Sequence, residues 1–318
     1  MSVYSEDKSQ LEANPSSVIP APGATSTHAN TATKKVTTRS LRLKKGKEKI
    51  ACLTAYDYPM ASWCEAAGVD VILVGDSLGN VIYGEPSTLP VTMDMMVLHT
   101  RAVSRAMKRA LLVADMPFLS YQTSIEDAVR NAGRLLKESY AEAVKLEGGL
   151  EMESTIAAIT RAGIPVMAHI GLTPQSVHAM GGYRTHGKTP SERDVLIENA
   201  KAVERAGAFA VVLECIEENV AREITELLSI PTIGIGAGNA TDGQILVTHD
   251  MLGLTAGGKV PNFVNPTGNF AAPITDAIRT YVNRTKHATT GAQPPKLSQP
   301  APILEKSSTL ERPNETSA

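Results

Sequence analysis

The chain lacks the residues and segments that mark several specialised classes of protein. Its 318 residues include three cysteines, one tryptophan and four phenylalanines, and the formal net charge is −2. No apolar stretch is long enough to span a bilayer. A net charge near zero provides no overall field that would attract nucleic acid or a membrane surface. These absences argue against a membrane-spanning or nucleic-acid-binding protein and leave a globular one.

The three cysteines do not form a disulfide or metal framework. Cys52, Cys64 and Cys215 are far apart in sequence and form no CxxC pair. Two lie in strand-like runs and one in a helix-like run, so we interpret them as small buried apolar side chains. An odd number without a framework indicates a reducing compartment.

Both ends of the chain differ in composition from its middle. Residues 1–33 are rich in Ser, Thr, Ala, Pro and Asn, and residues 285–318 are similar, so both tails are predicted to be disordered. A targeting segment is disfavoured at the start, because Glu6, Asp7 and Glu12 are acidic and transit peptides are rich in arginine. Residues 34–284 are predicted to form a single domain.

The middle of the chain alternates apolar runs with helical segments. The basic run Lys34–Lys49 is predicted to be a solvated first helix rather than a binding patch, with Thr37 or Thr38 as its cap and Gly46 at its end. Four further helices are predicted at Ser124–Lys137, Glu153–Ala162, Glu192–Ala206 and Glu217–Leu228. Eight strands are predicted at Ile50–Thr54, Val71–Val74, Leu111–Ala114, Ala143–Leu146, Pro165–His169, Ala210–Glu214, Thr232–Ile235 and Gln244–Thr248. Alternation at this length predicts an α/β fold, a (β/α)8 TIM barrel, with a doubly wound open sheet as the alternative.

Four acidic residues each lie at the end of one of these apolar runs. They are Asp76, Asp115, Glu147 and Glu214. Burying a carboxylate is costly unless it is paired or binds a metal, and the strand exits of a barrel meet at one end. Asp76 and Asp115 follow neighbouring strands and suit Mg²⁺, with Glu147 as a direct or water-mediated ligand. A structural alternative for any one of them is a helix N-cap.

Three further predictions concern the same end of the barrel. Glu214 is predicted to be a general base, or else the partner of a nearby cation. Lys145 shares a strand face with Glu147, and it either receives a substrate carboxylate, which we favour, or forms a Schiff base. His169 either hydrogen-bonds substrate or is an ordinary core histidine. The segment Gly234–Gly238 has the spacing GxGxG, so we predict a loop whose backbone approaches a ligand rather than a dinucleotide fingerprint.

Several motifs, in order and at matching spacing between about Ser40 and Tyr281, resemble those of ketopantoate hydroxymethyltransferase. They are Thr54–Asp57, Val74–Gly79, Ser87–Val91, Ala114–Phe118, Val144–Gly149, His169–Ser176, Gly181–Tyr183, Leu213–Cys215 and Pro231–Gln244. The resemblance implies a metal-dependent (β/α)8 barrel. Its members transfer a one-carbon unit from 5,10-methylenetetrahydrofolate to 3-methyl-2-oxobutanoate, which gives 2-dehydropantoate and tetrahydrofolate on the route to pantothenate.

The resemblance also implies roles for individual residues. Asp76 and Asp115 would bind Mg²⁺, with Glu147 in the metal site. The oxo acid would contact Asp76, Ser77, Asp115 and Lys145, and Glu214 would be the proton acceptor. The expected partners are therefore a small 2-oxo acid and a folate. The family is homo-oligomeric, with decamers among its members.

Two departures from the family pattern affect details. Residues 137–142 are longer than in bacterial members and lack a glycine common there, and both tails extend beyond the bacterial pattern. Eukaryotic members are often mitochondrial, but the acidic start of this chain leaves mitochondrial and cytoplasmic locations open.

Three alternative functions are a lyase or mutase of a related barrel, a Schiff-base aldolase, and a non-catalytic metabolite-binding barrel. The related lyases and mutases usually have a catalytic Cys loop, which is not evident here.

Overall fold

The computed structural model describes residues 34–256 and 260–287. Its eight strands are β1 (Ile50–Thr54), β2 (Val71–Val74), β3 (Leu111–Asp115), β4 (Ala143–Glu147), β5 (Val166–Gly171), β6 (Ala210–Glu214), β7 (Thr232–Ile235) and β8 (Gly243–Leu246). The α-helices among these residues are α1 (Thr38–Lys44), α2 (Tyr58–Ala67), α3 (Leu78–Val81), α4 (Met93–Ser104), α5 (Ile125–Ser139), α6 (Glu153–Arg161), α7 (Val177–Met180), α8 (Pro190–Arg205), α9 (Glu218–Leu227), α10 (Thr248–Met251) and α11 (Ala271–Lys286).

The strands form one closed parallel barrel in chain order. Each strand pairs with the next, and β8 pairs with β1 through the register Leu53↔Leu246. The (β/α)8 prediction is confirmed, and the open-sheet alternative is wrong because no strand edge is left unpaired. Four strands have the predicted bounds. β3 and β4 each extend by one residue, which places Asp115 and Glu147 inside the sheet.

The last predicted strand ends too late. β8 stops at Leu246, whereas the prediction continued to Thr248. Thr248 begins α10, and both its N–H and its hydroxyl donate to Thr54, to the side-chain and backbone oxygens respectively. The side-chain pattern alone does not show this turn, because the apolar run continues through Val247.

Two apolar layers follow from the alternation of side chains along each strand. One face of the sheet packs against the surrounding helices, through residues such as Ile72, Leu112 and Val144. The other face fills the barrel interior, through residues such as Leu73 and Val113. This alternation decides which residues at the strand exits face the centre of the barrel.

The basic first helix was predicted to be solvated, but in the structure it packs against one end of the barrel. Thr37 caps α1, as expected, but the helix ends at Lys44, before the predicted Gly46. Leu41 is almost fully buried within the interior cluster. The Nζ atom of Lys45 lies 2.9 Å from Oδ2 of the buried Asp242. The sequence pattern shows the charges but not the buried acids that they contact.

Two local predictions concern helix ends and cysteines. Ser124 caps α5 by accepting from the N–H of Asp127, as predicted. Tyr140 ends that helix with φ +64°, the left-handed conformation that glycine adopts more readily, in the segment where the family glycine is missing. All three cysteines are free and buried.

The helix α11, except for its first residue Ala271, lies in a second compact unit. None of its residues is buried. It includes residues 285 and 286, which the sequence assigned to the disordered tail. The predicted tail 1–33 and residues 288–318 of the predicted tail 285–318 lie outside the described residues, so the domain bounds stay a prediction. In the described ranges, no helix is long and apolar enough to cross a membrane.

We predict that Asp242→Asn destabilises the barrel at neutral pH. Asp242 accepts hydrogen bonds from Lys45, Gly46 and Thr232. Burial raises the pKa of Asp242, but these hydrogen bonds lower it more, so the pKa lies below its usual value. The variant should lose about 1–3 kcal/mol of unfolding free energy at pH 7, measured by urea unfolding.

The same interaction predicts how the difference depends on pH. Because the folded-state pKa is depressed, the stabilisation is present above the unfolded-state pKa of about 3.9 and is lost as pH falls through the folded value. The gap between Asp242→Asn and wild type should therefore shrink in acid. Asp194→Asn, at an exposed side chain, is the control. A gap that stays constant down to pH 3 would contradict the assignment.

Candidate active site

A cavity of about 640 Å³ opens at the carboxyl ends of the strands. Every residue that the sequence singled out for chemistry or substrate binding lines it. These residues are Asp76, Ser77, Asp115, Lys145, Glu147, His169 and Glu214. The structure therefore brings the whole predicted set together. Their individual roles stay predictions.

Strand alternation explains why most of these side chains converge. In β3, β4 and β6, interior residues such as Val113, Ala143 and Val212 belong to the central apolar cluster. The residue two positions after each of Val113, Ala143 and Val212 shares its inward face. Those positions are Asp115, Lys145 and Glu214, and Glu147 and His169 follow the same rule in β4 and β5.

We call Asp76, Asp115, Lys145 and Glu147 the acidic corner. The ammonium of Lys145 lies 2.8 Å from Asp115 Oδ1. The backbone N–H of Asp76 donates to Asp115 Oδ2 at 3.1 Å. The turn between β2 and Asp76 leaves no room for a larger residue at Gly75, where a Cβ would lie 2.8 Å from Ser77 Oγ. The corner thus places three carboxyl groups and one cation at the ends of the neighbouring strands β2, β3 and β4.

Burial and neighbouring charges shift the pKa values of Asp76, Glu147 and Lys145. Burial, together with the Asp115 charge, raises the pKa of Asp76 to about 7. Burial and the Asp76 charge raise the pKa of Glu147 as well. Burial lowers the pKa of Lys145, but Asp115, Glu147 and Asp76 raise it more, so Lys145 is protonated at neutral pH. The acidic corner therefore has one cation that interacts with three carboxyl groups.

His169 connects the acidic corner to Glu214. Lys145 Nζ lies 3.3 Å from His169 Nδ1 and donates to it, since an ammonium has no acceptor. The neutral ring then has its proton on Nε2, which lies 3.1 Å from Glu214 Oε2, although the N–H does not point directly at that oxygen. Burial and the Lys145 charge lower the pKa of His169. The histidine is buried, as the core alternative expected, and it also contacts the predicted base.

Gln175 and Tyr121 are two buried residues that sequence reasoning missed. The Gln175 side-chain amide donates to Asp76 Oδ2 at 2.8 Å and to the carbonyl of Met116 at 3.0 Å. Its backbone N–H donates to Glu147 Oε2 at 3.0 Å, and its Oε1 accepts from Tyr121 at 2.7 Å. Gln175 lies within a motif of the family resemblance, but no periodicity or charge pattern singles it out.

Ser77 lies in the predicted site, whereas the glycine-rich loop is in close contact with side chains of the protein. Ser77 Oγ lies 2.8 Å from the hydroxyl of Tyr56, beside the acidic corner. A Cβ on Gly236 would lie 2.7 Å from a ring atom of Phe263, and one on Gly238 would lie 2.4 Å from a Glu218 side-chain atom. These glycines make room for side chains of the protein itself rather than for a ligand.

The acidic corner fits Mg²⁺ better than zinc. Within residues 34–256 and 260–287, no group of three or more His, Cys, Asp or Glu side chains could hold a metal by itself. Zinc needs such a group, whereas Mg²⁺ is bound by one or two carboxylates with water and substrate oxygens. The raised pKa of Asp76 beside Asp115 shows an acid pair that a divalent cation would relieve. Glu147 accepts from Gln175, so its place in a metal shell stays a prediction.

The fold and site define a class: a (β/α)8 barrel enzyme with buried carboxylates at the carboxyl ends of its strands. The family model of ketopantoate hydroxymethyltransferase matches residues 35–292. A 3-methyl-2-oxobutanoate hydroxymethyltransferase of Geobacter metallireducens is 57% identical over 77% of this chain and 91% of its own. A 3-methyl-2-oxobutanoate hydroxymethyltransferase of Staphylothermus marinus is 52% identical over 80% of this chain and 93% of its own. The chain belongs to the ketopantoate hydroxymethyltransferase family and is a hydroxymethyl-transferring enzyme.

Solved structures share the fold at low sequence identity. A phosphonopyruvate hydrolase complex with oxalate and Mg²⁺ aligns with TM-score 0.54 at 14% identity, over 78% of this chain and 86% of that one. A 2,3-dimethylmalate lyase aligns with TM-score 0.52 at 18% identity, over 82% of this chain and 91% of that one. At such identities the likeness shows the barrel fold alone.

We predict that Gln175 holds the acidic corner through its amide group. Gln175→Ala should lower the unfolding free energy by about 2–4 kcal/mol, because Asp76, Met116 and Tyr121 lose a buried partner. The isosteric Gln175→Glu keeps the volume but adds a carboxyl beside Asp76. Its destabilisation should therefore grow from pH 5 to pH 8 more steeply than that of Gln175→Ala, which loses only the N–H donor that lowers the pKa of Asp76. Equal pH dependence in urea unfolding would contradict a specific role for the amide.

Proposed function

We propose that this chain transfers a hydroxymethyl unit from 5,10-methylenetetrahydrofolate to 3-methyl-2-oxobutanoate, giving 2-dehydropantoate and tetrahydrofolate. The observation that supports this most is the shared cavity of the Asp76–Asp115 pair, the Lys145 cation and Glu214. These groups match what an enolate reaction on a 2-oxo acid requires. The family and the names of its relatives supply the reaction.

In this proposal Asp76 and Asp115 hold Mg²⁺. The bound ion would act as a Lewis acid toward the ketone and carboxylate oxygens of the oxo acid. Gln175 occupies one oxygen of Asp76, which fixes the direction of that carboxylate. Glu147 would join the metal site through water, because its Oε2 already accepts from the backbone of Gln175.

Lys145 binds the oxo acid by charge in this proposal. Its ammonium contacts Asp115 and donates to His169, which fixes its position between the metal pair and the base. Its raised pKa keeps it protonated at neutral pH. A Schiff base needs a neutral amine, so the aldolase alternative is disfavoured.

Glu214 removes the proton from C3 of the oxo acid. His169 Nε2 lies 3.1 Å from Glu214 Oε2, and the side chain of Glu214 is 15% exposed, which leaves it accessible from the cavity. The carbon nucleophile then attacks the methylene carbon of the folate. Both C–N bonds of that carbon, to N5 and N10, break. Each nitrogen takes a proton, one originating from C3 and one from water, and the water oxygen becomes the hydroxyl oxygen.

We further propose that the enzyme is a homo-oligomer. The support is the family, which has decameric members, together with the exposed apolar side chains of α11, Ile274, Ile278 and Tyr281. Its partners are then the two small molecules and other copies of itself. The compartment, mitochondrial or cytoplasmic, depends on residues 1–33, which lie outside the described part of the chain.

We predict that the purified protein forms 2-dehydropantoate only when all three components are present. Omitting methylenetetrahydrofolate should abolish product, and removing Mg²⁺ with a chelator should reduce the rate by at least about 100-fold, since the acid pair then lacks its cation. Re-adding Mg²⁺ should restore the rate. Product can be followed by mass spectrometry. Full activity in chelator would exclude the metal assignment.

We predict that Glu214→Gln loses about 10²- to 10⁴-fold in rate and largely keeps oxo-acid affinity, because an amide cannot accept the C3 proton. Hydrogen–deuterium exchange at C3 in the absence of folate isolates this step and should fall equally. Glu226→Gln, at an exposed residue of α9, is the matched control. Unchanged exchange in Glu214→Gln would remove Glu214 as the base.

A further inference from the structure

The cavity extends well beyond the acidic corner. Its far end, as we call it, is formed by residues that follow β8: Asp250, Thr255, Pro261, Phe263 and Val264. A volume of about 640 Å³ lies in the range that accommodates drug-sized ligands, whereas a five-carbon oxo acid fills only a small part of it. The far end is therefore available to a second, larger molecule.

Asp250 is the ionisable side chain of this far end. It is 7% exposed, and one of its carboxylate oxygens accepts from the hydroxyl of Thr255. In the described part of the chain, no lysine or arginine forms an ion pair with it. Burial raises its pKa. Burying a carboxylate is costly unless it is paired, and one that faces a ligand cavity is suited to accept hydrogen bonds from N–H donors of a ligand.

The far end also has a flat apolar wall. Phe263 lines the cavity and packs closely over Gly236, where any Cβ would lie 2.7 Å from its ring. Gly236 has φ +61°, which glycine adopts without strain. The glycine-rich loop thus gives Phe263 its place in the cavity wall. Aromatic rings of this kind pack well against flat heteroaromatic ligands.

One strand, β1, separates the strand before the far end from the first strand of the acidic corner. Asp250 follows β8, β8 pairs with β1, and β1 pairs with β2, which leads to Asp76. Tyr56, after β1, lies between them: its hydroxyl is 2.8 Å from Ser77 Oγ, and its ring centre is 5.5 Å from that of His249. A ligand held at Asp250 can therefore reach toward the acidic corner along the same cavity.

We propose that Asp250 binds the 2-amino-4-oxopyrimidine edge of the folate pterin, with the ring facing Phe263. The planar carboxylate accepts two parallel N–H donors, from N3 and the 2-amino group. The pyrazine ring, which has the reactive N5, then points away from Asp250 toward the oxo acid. This inference rests on the proposed function, because it takes the folate as the one-carbon donor.

The first test compares wild type with Asp250→Asn. The amide can still accept from Thr255 but presents N–H where the pterin also has N–H. The KM for methylenetetrahydrofolate should rise at least about tenfold, while the KM for the oxo acid should change by less than about twofold. Asp94→Asn, at an exposed side chain, is the control. An unchanged folate KM in a folded variant, or an equal rise in both KM values, would overturn the proposal.

The second test does not depend on a variant that folds. Wild-type protein is titrated with tetrahydrofolate and with its analogue that lacks the 2-amino group, and affinities are measured by calorimetry. The analogue should bind at least about tenfold more weakly, because one N–H donor to Asp250 is missing. Equal affinities would overturn the proposal. In Asp250→Asn this preference should disappear, and a preference that persists would assign the amino group to another residue.

The outcome is separable from that of the proposed function. Wild-type protein that exchanges C3 hydrogen and binds tetrahydrofolate but forms no 2-dehydropantoate would refute the proposed reaction, and the analogue titration would still decide the role of Asp250. Conversely, normal 2-dehydropantoate formation with equal affinities for both folates would refute only the role of Asp250.

Discussion

The buried ammonium of Lys145 is the interaction on which the site depends. Asp76, Asp115 and Glu147 are buried within one corner, and such burial of charge is costly without a counter-charge. Lys145 contacts Asp115 directly and is itself kept protonated by all three acids. Burial and the Asp115 charge together outweigh the effect of Lys145, so the pKa of Asp76 is about 7. A divalent cation bound here would reduce the remaining repulsion between the carboxylates.

A series of contacts connects this corner to Glu214, the proposed base. Lys145 donates to His169, and His169 Nε2 lies 3.1 Å from Glu214 Oε2, so three neighbouring strands hold these groups at fixed spacing. On the other side, Gln175 holds Asp76 and Glu147 together. Catalytic groups placed on strands and held by such neighbours are more accurately oriented than groups on loops. The barrel thus provides both the rigidity of the site and its convergence.

The sequence predicted the strands and the acids well for one physical reason. Short apolar runs with a carboxylate at the exit are unusual enough that Asp115, Glu147 and Glu214 could be placed at the same end of a barrel. It failed where the structure depends on contacts that leave no periodic signal. Gln175 is polar in a loop, and nothing local marks it as a partner of Asp76, 99 positions away. The first helix was likewise predicted as solvated because the buried acids that it contacts lie far along the chain.

The sequence by itself determined the closed parallel barrel, the inward face of each strand and the group of residues at the strand exits. These follow from side-chain alternation, which is a local property. Tertiary structure decided which partners those residues have: Lys145 between Asp115 and His169, Gln175 on Asp76, and Phe263 over Gly236. Such pairings exist only once the barrel has closed, because closure brings together residues that are distant in the chain.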